Sequence, residues 1–185
     1  MNSMLKMMFG MCVLWIIQST LADAQTTAMS EKIAARDSLA KYLNHRHSKI
    51  GRVAAKATAY INRSLDSCLW LTENTLTKNG ETVFEKEERA ASELEKHHSF
   101  SHTKNDFLGS VMHLVSADSI LANVAVAAAR SACSDSVCQQ HLDCAARWIA
   151  AAEMLNHEGR YTRAIESYEM AWLSVQDTTG GRRSK

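Results

Sequence analysis

Apolar residues recur along the chain every three to four positions, the spacing that places them on one face of an α-helix. No clean alternation of apolar and polar residues, which would indicate strands, extends over five or more positions. The pattern predicts about six helices, over residues 30–46, 48–79, 82–98, 103–132, 136–157 and 160–176. The expected fold class is therefore all-α, a single-domain helical bundle.

Polar residues and glycines mark where the predicted helices start and stop. Ser30, Thr103 and Ser136 stand at the N-cap positions of the first, fourth and fifth helices. Gly80 suits a left-handed cap after the second helix, and Gly159 permits a tight reversal between the last two. We expect the last two helices to form an antiparallel hairpin on the long fourth helix, whose second half is apolar or small nearly all round.

Charged residues crowd the predicted third helix. Phe84, Ala91 and Leu94 lie on its apolar side. Its other faces carry seven charged residues: Glu85, Lys86, Glu87, Glu88, Arg89, Glu93 and Glu95. Charges of both signs on successive turns are typical of a solvated helix surface. We therefore interpret this run as a solvent-exposed face rather than an acidic binding site.

Residues 1–24 have the features of a secretory signal peptide. Lys6 precedes an apolar run of 11 residues, too short to span a membrane, and a small-residue cleavage pattern ends at Ala24. The alternative is an uncleaved anchor at a membrane interface. After cleavage we expect a helical domain over 25–177, a disordered basic tail over 178–185 and no transmembrane span. The expected location is secreted, periplasmic or in the cell envelope.

Composition narrows the class of protein further. Hydrophobic residues make up 46% of the chain, which excludes a disordered protein. The net charge of +1 lacks the basic excess of nucleic-acid-binding proteins, so no nucleic-acid partner is expected. The chain contains no proline, which favours long uninterrupted helices.

Four cysteines remain after the predicted cleavage, an even number that in an exported chain suggests two disulfides. Cys138 and Cys144 lie six residues apart in one predicted helix, farther than a disulfide spans. Cys133 lies across a short corner from Cys138, so we predict Cys133–Cys138 and, for the remaining two, Cys68–Cys144. A metal site of Cys138, His141 and Cys144 is the alternative, although ligands at that spacing diverge around a helix.

Histidines offer a second candidate chemistry. His97, His98 and His102 cluster near the corner after the third helix, and Glu95 precedes His98 by three residues, a spacing used in di-iron bundles. These four residues are the candidate ligands of a metal- or cofactor-binding bundle. The chain carries none of the motifs of zinc proteases, serine hydrolases or phosphate-binding loops. We therefore predict no catalytic residues and no required cofactor, and keep an enzyme as a third interpretation.

The C-terminal part of the chain carries a recurring hairpin pattern. Its second half has the spacing Gly159-Arg160-Tyr161, Ala164-Ile165, Tyr168 and Ala171, and its first half has Trp148, Ala151, Ala152 and Leu155. This segment resembles a tetratricopeptide-repeat helical hairpin. The resemblance implies two antiparallel helices that cross at small residues, and a function in protein or peptide binding. The pattern occurs once, so a stacked array is not expected.

The leading hypothesis is a non-enzymatic protein- or peptide-interaction module of the cell envelope or extracellular space. Four aromatic residues are the candidate partner-binding side chains: Trp148, Tyr161, Tyr168 and Trp172. The competing hypothesis is the metal- or cofactor-binding bundle that uses the histidine cluster.

Overall fold

Six α-helices dominate the part of the chain that the computed structural model describes, which comprises residues 26–45, 48–97 and 104–179. They are α1 (Ala28–Leu39), α2 (Lys49–Ser64), α3 (Glu81–Glu95), α4 (Lys104–Ala132), α5 (Ser136–His157) and α6 (Tyr161–Thr179). The remaining elements are two 3-10 helices (Ala40–His45 and Ser67–Leu69) and two antiparallel strands, β1 (Trp70–Thr72) and β2 (Thr75–Leu76). The predicted all-α bundle is confirmed. The predicted signal peptide and residues 180–185 of the predicted tail lie outside the described residues.

α4 is the central helix of the bundle. It packs against α1, α3, α5 and α6, and Phe107, Leu114, Leu121 and Ala129 along its length are at most 1% exposed. By length and composition Asn105–Ala132 could cross a membrane, with a mean hydropathy of 1.6 in a window that is 44% buried inside the protein. The same composition is typical of a core helix, and four neighbouring helices pack against α4.

α5 and α6 form the expected antiparallel hairpin, and α6 packs on α4. Gly159 in the connecting turn has a φ of 73°, in the left-handed region that side chains with a Cβ rarely adopt. Ala152 of α5 and Ala164 and Ala171 of α6 are fully buried. The two helices therefore approach each other at small residues, with a glycine where the chain reverses.

A short β-hairpin follows α2, so the second helix ends at Ser64, earlier than predicted. Trp70 Nε1 donates to the Ser64 carbonyl at 2.7 Å, and the Asp66 side chain accepts from the Cys68 backbone nitrogen at 3.1 Å. These bonds satisfy backbone groups outside a helix and turn the chain into β1. Trp70 pairs with Leu76 across the hairpin, and both side chains are buried. The apolar spacing resembled a continuing helix because this segment buries Leu69 and Leu76, which are seven positions apart, about two helical turns.

The turn of this hairpin supports the start of α1. Asn74 Oδ1 accepts a hydrogen bond from the Ala28 backbone nitrogen at 2.7 Å. Thr27 is the N-cap, because its hydroxyl accepts from the Ser30 nitrogen at 3.1 Å while the Ser30 hydroxyl accepts from the Thr27 nitrogen at 3.0 Å. The prediction of Ser30 as the cap is therefore wrong by three residues.

A disulfide and an aspartate hold the corner between α4 and α5. Cys133 and Cys138 are bonded with their Cα atoms 5.6 Å apart, as predicted. The Asp135 side chain accepts from the Cys138 nitrogen at 2.8 Å, so the cap of α5 is Asp135 and not Ser136. Thr103, the predicted cap of α4, lies outside the described residues.

Cys68 and Cys144 are free thiols, so the predicted Cys68–Cys144 disulfide is wrong. The prediction assumed that Cys68 lies on the second helix, and that helix ends before it. Cys68 is exposed in the 3-10 turn before β1. Cys144 lies on α5, where its Sγ accepts a long hydrogen bond of 3.7 Å from the Ser174 hydroxyl of α6.

Gly80 precedes α3 in a right-handed conformation with a φ of −61°, so the predicted left-handed cap is wrong. A Cβ at this position would lie 2.5 Å from the Leu76 Cβ and 2.9 Å from Cζ2 of Trp172. A glycine is required here because β2 and α6 approach too closely to leave room for a side chain, and not because the backbone adopts a conformation that only glycine tolerates.

We expect Gly80→Ala to lower the free energy of unfolding by about 1–3 kcal/mol, because the added methyl group has no space. Gly109→Ala is the matched control: it lies within α4, where a Cβ meets nothing within 4 Å. The control should raise stability by up to about 1 kcal/mol through helix propensity. Urea unfolding of the three proteins measures both effects, and equal changes in the two variants would contradict the packing argument.

Candidate functional site

A cleft of about 330 Å³ opens where the end of α3 and the starts of α4 and α6 meet. Leu94 and Glu95 line it from α3, Phe107 and Val111 from α4, and residues 159–163 from the turn before α6 and its first residues. This volume lies at the lower end of the range that small ligands or single anchor side chains occupy.

The floor of the cleft is apolar. Leu94 and Phe107 are fully buried and Val111 is 1% exposed, while Leu108 and Tyr161 are half-buried on its walls. Leu108 and the ring of Tyr161 present partly exposed carbon surface, and the buried side chains beneath them make no hydrogen-bonding demand on an incoming group. The floor therefore suits an aliphatic or aromatic side chain.

Glu95 joins the wall of the cleft to the first turn of α6. Its Oε1 accepts hydrogen bonds from the backbone nitrogens of Tyr161 at 3.1 Å and Thr162 at 3.3 Å. Its Oε2 accepts from the Thr162 hydroxyl. A carboxylate in this place satisfies backbone donors of the helix and complements its dipole. Glu95, a candidate metal ligand from the sequence, is a helix cap in the structure.

Two arginines make the rim of the cleft cationic. Arg160 and Arg163 are both exposed and line the cleft. Arg160 contacts Glu158 at 3.2 Å, whereas Arg163 forms no ion pair within the described part of the chain. The cleft thus combines an apolar floor with a guanidinium group that can receive an anion.

The four predicted partner-binding aromatic residues have different environments. Tyr168 is 2% and Trp172 3% exposed, so these two side chains belong to the core. Trp148 is partly buried against the core. Tyr161 is half-buried at the cleft and is the predicted residue whose position suits a ligand.

Two of the four predicted metal ligands, His98 and His102, lie outside the described residues. His97 Nε2 is 3.9 Å from a Glu93 carboxylate oxygen. Among the described residues no group of three or more His, Cys, Asp or Glu side chains could hold a metal ion. The alternative site at Cys138, His141 and Cys144 is overturned, since Cys138 is in a disulfide.

A buried charge cluster lies in the core at the meeting of α1, α3 and α4. Lys32 Nζ contacts Glu87 Oε1 and lies 3.2 Å from Asp118 Oδ1, and all three side chains are fully buried. The ring of Trp70, on β1, lies 5.4 Å from the same nitrogen. The prediction that Glu87 is solvent-exposed is therefore wrong.

The sequence carried a signal for Glu87 that the charge run obscured. Glu87 follows Phe84 by three positions and precedes Ala91 by four, so it lies on the apolar face of α3. Lys32 and Asp118 likewise occupy buried positions of α1 and α4. Nothing in the sequence pairs these three residues, which are far apart along the chain.

One carboxyl group of the cluster is shifted toward its neutral form. Burial, reinforced by the negative charge of Glu87, raises the pKa of Asp118 well above its usual value, although Lys32 opposes the shift. Glu87 Oε2 and Asp118 Oδ2 are buried without a hydrogen-bond partner among the described residues. A single lysine nitrogen thus faces two buried carboxyl groups, and burial favours the neutral form of Asp118.

Acidic side chains also gather between α3 and α6, around Glu169. Burial and the charges of Glu81, Glu85, Glu88 and Glu166 raise the pKa of Glu169 to about 7. Burial and Glu166 also raise the pKa of Glu88. This acidic seam is a source of repulsion between the two helices.

Comparison of the chain with models of known protein families, with curated proteins and with solved structures finds no match.

We expect Glu169→Gln to stabilise the protein above pH 7 and to have less effect near pH 5. The folded-state pKa of Glu169 is raised above its ordinary value of 4.5, so wild-type stability falls as the pH rises from about 4.5 to about 7, and glutamine removes that loss. Because the side chain is only half-buried, solvent screening reduces the gain at pH 8 to about 1 kcal/mol. Urea unfolding at pH 5 and pH 8 tests this, and an equal effect at both values would contradict it.

Proposed function

We propose that the chain is a helical interaction module of the cell envelope or extracellular space, and that its cleft binds a peptide segment of a partner protein. The segment carries one aliphatic or aromatic anchor residue beside acidic side chains. The observation that carries this proposal is the apolar floor of the cleft beneath a rim with two arginines.

The floor supports an apolar anchor. Leu94, Phe107 and Val111 belong to three turns of two helices that are packed into the core, so the cleft is formed before a ligand arrives. Burying one large apolar side chain in such a place contributes about 1.5–3 kcal/mol. That energy suits a short linear segment and a readily reversible complex.

The rim supports acidic residues next to the anchor. Arg163 has no ion pair within the described part of the chain, and a guanidinium group binds a carboxylate through two parallel hydrogen bonds. Glu95 already accepts the first backbone donors of α6, so an incoming carboxylate would meet the arginines and not the helix N-terminus.

The α5–α6 hairpin supports the proposed class of interaction module, and the predicted signal peptide supports the proposed location. The α5–α6 hairpin crosses at small residues and turns at Gly159, which suits the proposed tetratricopeptide-like character. Residues 1–24 suggest export, and the Cys133–Cys138 disulfide is compatible with an oxidising compartment. A single hairpin does not form the stacked array of a repeat protein, so we propose one cleft as the binding surface and not an extended groove.

A displayed library of random peptides tests the proposal when panned against the immobilised protein. We expect enriched sequences in which Phe, Leu or Ile stands beside Asp or Glu. Arg163→Glu should weaken their binding about tenfold, because it replaces attraction at the rim with repulsion. Leu108→Glu should also weaken it, since the new carboxylate borders the apolar floor.

Arg130→Glu is the matched control, with the same charge change at the exposed far end of α4. It should leave peptide binding unchanged. The proposal fails if no sequence is enriched, or if the enriched peptides bind Arg163→Glu as tightly as Arg130→Glu.

A further inference from the structure

The buried charge cluster holds the reacting groups of an amide condensation in one place. Lys32 supplies an amine nitrogen 3.2 Å from an oxygen of the Asp118 carboxyl group, and the Glu87 carboxylate contacts the same nitrogen. All three side chains are fully shielded from solvent. Groups held at such distances react with effective concentrations far above those reached in solution.

We propose that Lys32 and Asp118 form an intramolecular amide cross-link, with Glu87 as the group that transfers protons. The bond would join α1 to α4 through their side chains in the centre of the bundle. This is a modification site independent of the cleft, and it requires no partner or cofactor.

The steps balance in atoms and charge. Glu87 accepts a proton from the Lys32 ammonium group, which leaves a neutral amine. The nitrogen lone pair forms a bond to Cγ of the neutral Asp118 carboxyl group, and the bond from Cγ to the hydroxyl oxygen breaks. The hydroxyl leaves as water with a proton that the nitrogen gives up through Glu87. The products are a neutral amide, one water molecule and protonated Glu87.

The surroundings favour these products. In water an amine and a carboxylic acid remain as separate, well-hydrated ions, but a dry interior withdraws that stabilisation. The cluster lies between three helices, and Trp70 lies against the amine. Condensation replaces an ion pair that is costly to bury by an uncharged amide, which the interior tolerates better.

The two carboxyl groups have separate roles. An ionised carboxylate is a poor target for an amine, and a protonated one carries a hydroxyl that can leave. Asp118 is the acceptor because its Oδ1 lies 3.2 Å from the Lys32 nitrogen, and burial raises its pKa, which favours the neutral carboxyl group. Glu87, in the closer contact with Lys32, is placed to take the first proton.

Peptide mapping of the folded full-length protein tests the proposal after denaturation, reduction and trypsin digestion. Trypsin isolates Asp118 in a peptide over 105–130 and Glu87 in a peptide over 87–89. We expect the 105–130 peptide to be joined to a peptide that spans Lys32 without cleavage after it. The mass of the joined species should equal the summed masses of the two separate peptides minus one water molecule.

Other patterns would overturn the proposal. Complete cleavage after Lys32 in the wild-type protein shows that no bond forms. A water loss confined to the linear 105–130 peptide indicates a succinimide at Asp118-Ser119. A link between the Lys32 peptide and the 87–89 peptide shows that the amide forms at Glu87 and not at Asp118.

A variant of Glu87 and a second lysine–glutamate pair serve as controls for the cross-link. Glu87→Gln keeps the size of the side chain but cannot take the proton, so the link should be lost in protein whose circular dichroism stays helical. Persistence of the link in this variant would contradict the role of Glu87. The exposed pair Lys56–Glu93, at 2.7 Å, is an internal control and should remain unlinked, because water solvates its lysine.

Discussion

Burying the polar groups of one lysine and two carboxyl side chains away from water is the constraint on which the arrangement of α1, α3 and α4 depends. Each of these groups is strongly destabilising in an apolar core unless the others are within hydrogen-bonding distance. Lys32, Glu87 and Asp118 come from three different helices, so their contact fixes how far each helix slides along its neighbours. The β-hairpin closes the cluster by placing the ring of Trp70 over Lys32.

The cleft depends on the same constraint through α3. Glu87 anchors the middle of this helix in the core, and about two turns later Leu94 and Glu95 reach the cleft. Glu95 then caps α6 and sets the position of its first turn, which carries Arg163 and directly follows Arg160. Displacing α3 by one turn would separate Glu95 from α6, so the shape of the proposed binding site is a consequence of core packing.

The helical architecture could be predicted from the sequence because it depends on apolar spacing that recurs over many residues. α4, α5 and α6 lie close to their expected positions, and Cys133–Cys138 follows from a short corner. The β-hairpin after Ser64 was missed because it buries residues at a spacing that a helix would also bury. The charge cluster and the cleft were missed because they join residues that only the tertiary fold brings together.

The free energy of unfolding of Lys32→Met at pH 7, measured in urea against wild type, tests the central claim most directly. We expect a loss of at least about 3 kcal/mol, because the substitution leaves two carboxyl groups buried without the lysine nitrogen, both where that nitrogen is an ammonium group and where it has formed the proposed amide. Lys56→Met removes the same group from an exposed ion pair and should change stability little. A loss for Lys32→Met no larger than that for Lys56→Met would contradict the account.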